Sequence, residues 1–425
     1  MRKTAVSRVL VFGLVLCGLM RGAEQAARAE ELSITVRQIT RGPENHFFGY
    51  IGHAMTIPWN ADGRYIVALR TSFHDRLPRP GEAAQVVLID TRNDDQVEVI
   101  DRTLAWNQQQ GTMLYWNPDA AGTQFFFNDL DPETGTVFTV LYDIAKRARI
   151  REYRYGDESV ANGGVSPAGR YFAAINYGKI SRSRDVIAYA GAVDSTAEGP
   201  ANPETDGLFR VETASGERKL LVSYRQLSDL LLETPASRAK VGDPARYPVY
   251  AHHTMWSRDG EWIFFVVRGK QNKRPNVGCV VRQDGTGLRV VPFAGHPEWR
   301  GHRLLLSSKD LQVFNQYDVD EKRWLEPFPR PGIFPDTRDD NAMSPDESWI
   351  AGCHKPTPEE YVYTLYRLAD GGHVHSPVVR AKAGGGTCRV DGAPRWNRTG
   401  DQLLVPGMAE DGTRQLFILQ LRTGE

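Results

Sequence analysis

Apolar and polar positions alternate along most of this chain in short runs, and a single phrase recurs at their head. An apolar or aromatic residue is followed by a polar pair, a Gly or Asp turn, and a β-rich run. The copies are Trp59-Asn-Ala-Asp-Gly before RYIVAL, Trp116-Asn-Pro-Asp before TQFFF, Val165-Ser-Pro-Ala-Gly before RYFAAI, and Trp256-Ser-Arg-Asp-Gly before EWIFFVV. Then come Trp299-Arg-Gly before HRLLLSS, Met343-Ser-Pro-Asp before SWIAGC, and Trp396-Asn-Arg-Thr-Gly before DQLLVPG, seven in all. Each reads as strand, turn, strand, because Asp-Gly or Pro-Asp between alternating runs supplies hairpin turn residues. Further hairpins, such as VVLIDTRNDDQVEVI and GCVVRQDGTGLRVV, lie between the copies. Two hairpins per repeat make a four-stranded blade, and a radial ring of blades leaves only short, protected edges. The pattern predicts an all-β protein, a seven-bladed β-propeller of four-stranded antiparallel blades. The step from Val165 to Trp256 is about twice the usual spacing, which predicts an insertion between the third and fourth repeats. Within it, LSDLLLETPASRAK carries leucines at helical spacing; an eighth, worn blade is the alternative.

The N-terminus breaks the pattern. Met1-Arg2-Lys3, an apolar stretch from Val9 to Met20 and Ala27-Arg28-Ala29 before Glu30 have the three-part form of a secretory signal peptide. The stretch is too short for a membrane-spanning helix, which needs about 20 residues. Residues 1–29 are therefore expected to be removed, leaving 30–425 as one propeller domain, secreted or periplasmic and a monomer. The full chain holds 52 Lys+Arg and 52 Asp+Glu. Residues 1–29 contain five of the basic and one of the acidic residues, so the mature chain has 47 against 51 and a net charge of −4. That balance, with no basic run, excludes nucleic acid as the main partner, and no membrane association is expected after cleavage. Cys279, Cys353 and Cys388 remain, too few for a disulfide framework. Cys353 and Cys388 either pair or stay as buried thiols.

In a propeller the first strand of each blade lines the central channel. The third residue before each Trp equivalent, Thr56, Met113, Asn162, His253, His296, Asp340 and Ala393, is therefore expected near one channel mouth. Blades four to six would offer His253, His296 and Asp340 toward a common axis. Two imidazoles and a carboxylate suit a divalent metal such as Mn, Ca or Zn, with positions open for water or substrate. A histidine there equally suits a hydrogen bond to the next blade. His252, adjacent in a strand, would point away. Polar residues gather at the same level: His46, Tyr50 and His53 in blade one, Gln108, Gln109 and Gln110 before blade two, Tyr177, Lys179, Arg182 and Arg184 after the third copy, and Arg389 and Asp391 before blade seven. Rings stack on apolar sugar faces while amides and cations bind hydroxyls and carboxylates, so the funnel suits a sugar ligand.

The phrases NHFFGY, AWNQQQG, FND, VSPAGR with INYGK after it, HHTMWSRDG, HPEW and CRVDGAPRWNRTGDQLL occur in that order. Together they resemble the secreted seven-bladed polysaccharide lyases, oligogalacturonate-lyase-like and ulvan-lyase-like, over nearly the whole mature chain. The resemblance implies an acidic, uronate-containing polysaccharide or oligosaccharide cleaved by β-elimination. A base removes the C5 proton, a cation or metal neutralises the carboxylate, and an acid protonates the leaving oxygen. It also implies Lys179 as the cation, with His53, Tyr177 or Tyr250 as acid or base. His46, Gln110, Asn128, Arg182 and Arg389 would bind substrate, and His253, His296 and Asp340 would hold the metal. The chain departs from the ulvan-type pattern, with Gly163 in place of a Tyr, Lys179 in place of an Arg, Gln110 and Asn128 in place of blade-two histidines, and Asp340 and Ala393 in place of two later ones. Of these, Gly163, Gln110, Asn128 and Ala393 favour the alternative, a non-catalytic glycan- or protein-binding propeller, of which a TolB-like scaffold is one form.

Overall fold

A computed structural model describes residues 32–49, 55–243, 247–269, 277–293, 296–310, 312–382 and 386–424. Residues 1–29 and His53 lie outside the described residues. The described chain folds into seven antiparallel sheets of four strands, six of them built from consecutive strands. The innermost strands are Asn45–Phe47, Tyr115–Trp116, Val160–Val165, Val249–Trp256, Glu298–Arg300, Asn341–Met343 and Arg395–Trp396. Inner strands are almost wholly buried, as in Phe125–Phe127 and Ile263–Val267, whereas the outermost strand Ala148–Tyr153 alternates exposed and half-buried positions. The ring closes across the chain ends. Leu32–Gln38 pairs antiparallel with Arg414–Thr423, so the first strand completes the last blade. Val379–Arg380 adds a short fifth strand to blade six. No described helix is long and apolar enough to cross a membrane.

The recurring phrase is a physical unit. The polar residue after the Trp equivalent accepts the backbone N–H five residues on: Asn60 from Tyr65 (2.9 Å), Ser166 from Tyr171 (3.1 Å), Ser257 from Trp262 (2.9 Å), Ser344 from Trp349 (2.9 Å) and Asn397 from Gln402 (3.1 Å). That bond ties the turn shut. The turn residue is left-handed, at φ 72°, 71°, 76° and 74° for Gly63, Gly169, Gly260 and Gly400, which is why glycine recurs there. The buried Trp then bonds the preceding blade. Its indole N–H donates to the carbonyl of Pro58 from Trp116 (2.6 Å), of Gly164 from Trp256 (2.8 Å), of Met255 from Trp299 (3.1 Å) and of Ala342 from Trp396 (2.9 Å). Where Met343 removes the indole, Arg258 spans the seam instead, donating to the carbonyls of Trp299, Ser344 and Pro345 at 3.0–3.1 Å.

Two segments separate the third and fourth copies. The first, inside blade three, begins with the helix Tyr177–Ser181 and runs to Gly207. The second carries the helices Tyr224–Leu232 and Pro235–Val241 between blades three and four. Ser223 and Gln226 form a reciprocal capping box that starts the former, and Leu227 and Leu231 bury its apolar face. Cys279, Cys353 and Cys388 are free thiols, the first two buried.

Candidate functional site at the channel mouth

At four of the seven register positions three before the Trp equivalent the backbone kinks or bulges. Met113, His253 and Ala393 have φ of 58°, 54° and 35°, and the pairing slips between Asn162 and Gly164 and between His252 and Met255. A left-handed non-glycine residue costs roughly 1–2 kcal/mol, and such strain persists only where the surroundings fix it. The bulge also breaks the alternation expected of a strand. His252 does not point away from His253. Their Nδ1 atoms meet and the rings pack edge-on, centroids 4.3 Å apart.

Gln110, His253, His296 and Asp340 come together from the loop before blade two and from blades four, five and six. Gln110 Nε2 lies 3.4 Å from His253 Nε2. His296 Nδ1 is 2.5 Å from Asp340 Oδ1, with the carboxylate fully buried and the imidazole about a third exposed. Asp340 Oδ2 accepts the Ala393 N–H at 3.0 Å. Burial opposes charge on His296, but Asp340, with Asp391 and Asp339 nearby, carries it up to about 9. His253 goes the other way. Burial, then the positive charges of His296 and Arg184, hold it near about 3. Neighbouring imidazoles are thus split, one protonated and one neutral at neutral pH.

Among the described residues no group of three or more His, Cys, Asp or Glu side chains is arranged to hold an ion. Asp340 spends one oxygen on His296 and the other on Ala393, and His253 turns to His252 and Gln110.

The other candidates are placed elsewhere. Tyr177 is buried, stacked on Tyr189 at 4.6 Å, and donates its hydroxyl to the Asn162 carbonyl at 2.8 Å. Asn128 donates to the same carbonyl at 2.9 Å and accepts from Thr139 at 3.0 Å. Asn128 thereby joins blade two to blade three, while Tyr177 ties the blade-three insertion to its own innermost strand. Lys179 donates to the Ala201 carbonyl at 2.9 Å and sits 4.8 Å over the Tyr224 ring. Burial lowers its pKa despite Asp206 and Asp194. Arg182 pairs with Asp194 at 2.8 Å. His46 lies in the seam between blades one and seven, Nδ1 2.9 Å from Gln415 Oε1. Arg389 pairs with Asp391 at 2.7 Å beside the mouth. Tyr250 flanks it, its ring 5.8 Å from that of His252, with burial pushing the phenol up to about 12. Arg184, from the blade-three insertion, lies close enough to lower the pKa of Tyr250, His252 and His253.

Sequence reading passed over the position directly before the Trp equivalent. Glu298 and Arg395 occupy it in blades five and seven, 1% and 2% exposed. Burial pushes Glu298 up to about 7. A charged residue in a position otherwise held by Pro58, Tyr115, Gly164, Met255 and Ala342 was the available signal.

No family model and no curated protein matches the sequence. Solved structures do match in shape. An oligogalacturonate lyase from Vibrio parahaemolyticus superposes with a TM-score of 0.57 at 12% identity, covering 92% of this chain and 97% of that one. TolB from Acinetobacter baumannii matches at TM-score 0.39 and 12% identity over 86% and 82% of the two chains. At 12% identity the likeness to the lyase structure shows the propeller fold alone, a scaffold that hosts many activities.

Proposed function

We propose that the channel mouth binds a uronate-containing oligo- or polysaccharide and cleaves it by β-elimination, in a protein that acts outside the cytoplasm. The observation that carries this reading is the split between His296, protonated, and His253, neutral, at a mouth fed by four parts of the ring. The imidazolium of His296 is the cation to face a uronate carboxylate, which acidifies the C5 proton. His253 is the acceptor for that proton, and the bound carboxylate raises its basicity by placing negative charge beside it. Tyr250, whose phenol stays protonated through neutral pH, is the candidate acid for the leaving oxygen. The fold neighbour bearing the name oligogalacturonate lyase supports the substrate class. A divalent ion is the other means of neutralising the carboxylate; no step here is routed through one.

Ultraviolet absorbance of the unsaturated product, followed with polygalacturonate and other uronate polymers, with chelator and with added Mn, Ca or Zn, tests the reading. Signal in chelator that is lost in His253→Asn supports it, Asn being chosen because it tolerates positive φ. Signal only with added metal replaces His296 by an ion. Absence of signal with every polymer overturns cleavage. The internal bonds of Lys179, Tyr177 and Asn128 favour a second reading, glycan binding without turnover, which predicts calorimetric binding and no absorbance.

A further inference from the structure

His373–His375, the outermost of the four main strands of blade six, carries two histidines at the rim of the ring. Side chains two apart on a strand share a face, so both imidazoles stand on one side of the blade. Both are exposed, whereas Val374 between them turns the other way and packs against the cluster that holds Ile34, Leu365 and Leu421. Here, unlike at His253, neither a positive φ nor a register shift disturbs the alternation: His375 pairs with Thr364, Val374 with Leu365 and His373 with Tyr366. The two ring centroids lie 6.0 Å apart. Imidazoles that bind one ion through nitrogens at about 2.0–2.1 Å have ring centres at most about 6.4 Å from each other, so this pair is within reach of a shared ion.

Each ring is also held by its Nδ1. His373 Nδ1 lies 3.2 Å from the carbonyl of Gly371, in the hairpin loop that leads into the strand. A carbonyl only accepts, so this nitrogen carries the proton and the neutral ring presents the lone pair of its Nε2. His375 Nδ1 lies 2.9 Å from Oγ1 of the buried Thr364 on the neighbouring strand. That hydroxyl can accept a proton in the same way, which opens the second Nε2. Histidine metal ligands take this form, because a hydrogen bond from the other nitrogen to an oxygen fixes the tautomer and orients the ring. We propose that His373 and His375 form a two-histidine site at the rim of blade six for a borderline divalent ion, copper(II) or zinc(II), bound through both Nε2 atoms. Among the described residues no third His, Cys, Asp or Glu completes a cage, so water or an external donor takes the remaining positions. Imidazole suits these ions, whereas magnesium and calcium want oxygen ligands. The site shares no residue with the channel mouth and stands whether or not the mouth cleaves a polymer.

Calorimetric titration of the full chain with copper(II), zinc(II) and magnesium(II), after chelator treatment, tests the site. Copper should bind saturably and more tightly than zinc, and magnesium should not bind. With carbon-13-labelled histidine, zinc should move the two resonances that are missing in His373→Gln and His375→Gln. Each of these variants should bind copper at least about tenfold more weakly, the loss seen even when an outer-shell partner is removed. The double variant should be little weaker than either single one, because one imidazole alone no longer chelates. His302→Gln, which removes another solvent-facing histidine (side chain 78% exposed), and His296→Gln at the mouth should keep the site. Unchanged copper binding by either His373→Gln or His375→Gln, an equal loss in His302→Gln or His296→Gln, zinc shifts confined to other histidines, or no preference over magnesium would each overturn the proposal.

Discussion

Replacing Asp340 by Asn removes the charge that holds His296 in its protonated form while keeping an acceptor for the Ala393 N–H. In the wild type His296 is carried up to about 9, so at about pH 7.5 roughly 97% of the rings are charged. Without Asp340 the ring returns to its ordinary value near 6.5 or below it, because burial then acts against the charge, and at most roughly a tenth remain charged. The cation offered to a substrate carboxylate thus falls about tenfold at one pH, with no change in the number of side chains at the mouth. The linkage has a definite sign. A folded-state pKa above the unfolded one adds stability that is complete below pH 6.5 and disappears as pH rises through about 9. The wild type should therefore lose stability over that window and Asp340→Asn should not. Carbon-13 histidine labelling reads the titration directly, with ten histidines in the chain and His296 assigned by its absence in His296→Gln. A wild-type His296 that titrates at or below 6.5, or one that Asp340→Asn leaves unmoved, refutes the reasoning.

Other consequences follow from the seams and buried groups. Arg258→Met strips donors from three carbonyls across blades four to six and should cost about 2–4 kcal/mol in denaturant unfolding. Trp256→Phe keeps the ring in the core but loses the 2.8 Å bond to Gly164, costing about 1–2 kcal/mol. His46 is held near about 4, chiefly by burial, so its contribution is complete above pH 6.5 and is lost as pH falls through 4; His46→Asn should unfold less steeply with acid. Glu298, raised to about 7 by burial, favours the fold below about pH 4.5 and loses that contribution as pH rises through 7. Glu298→Gln should gain on the wild type between pH 5 and 8, as measured by thermal unfolding at each pH.

The blades were legible because their signal is local. A turn closed by a polar residue five positions from its partner, with a left-handed Gly and a Trp reaching one blade back, leaves its whole signature within a few residues. Ring closure was not legible, since Leu32–Gln38 and Arg414–Thr423 meet from opposite ends of the chain. The mouth was legible in part. Counting three residues back found His253, His296 and Asp340, yet strand alternation misplaced His252, because a bulge with positive φ at His253 turns both rings to one side. Lys179, Tyr177 and Asn128 were candidates by resemblance and position in the repeat; their partners Ala201, Asn162 and Thr139 are set by packing between segments and leave no local signature. The partner of His296, Asp340 on the next blade, likewise emerges only when adjacent blades are set side by side.

Calorimetric titration of a defined uronate oligosaccharide into the wild type and His296→Gln at about pH 7.5 tests the account most directly. The account predicts saturable binding by the wild type that is lost or strongly weakened in the variant, with both proteins folded. Equal binding by the two, or none by either, would contradict it.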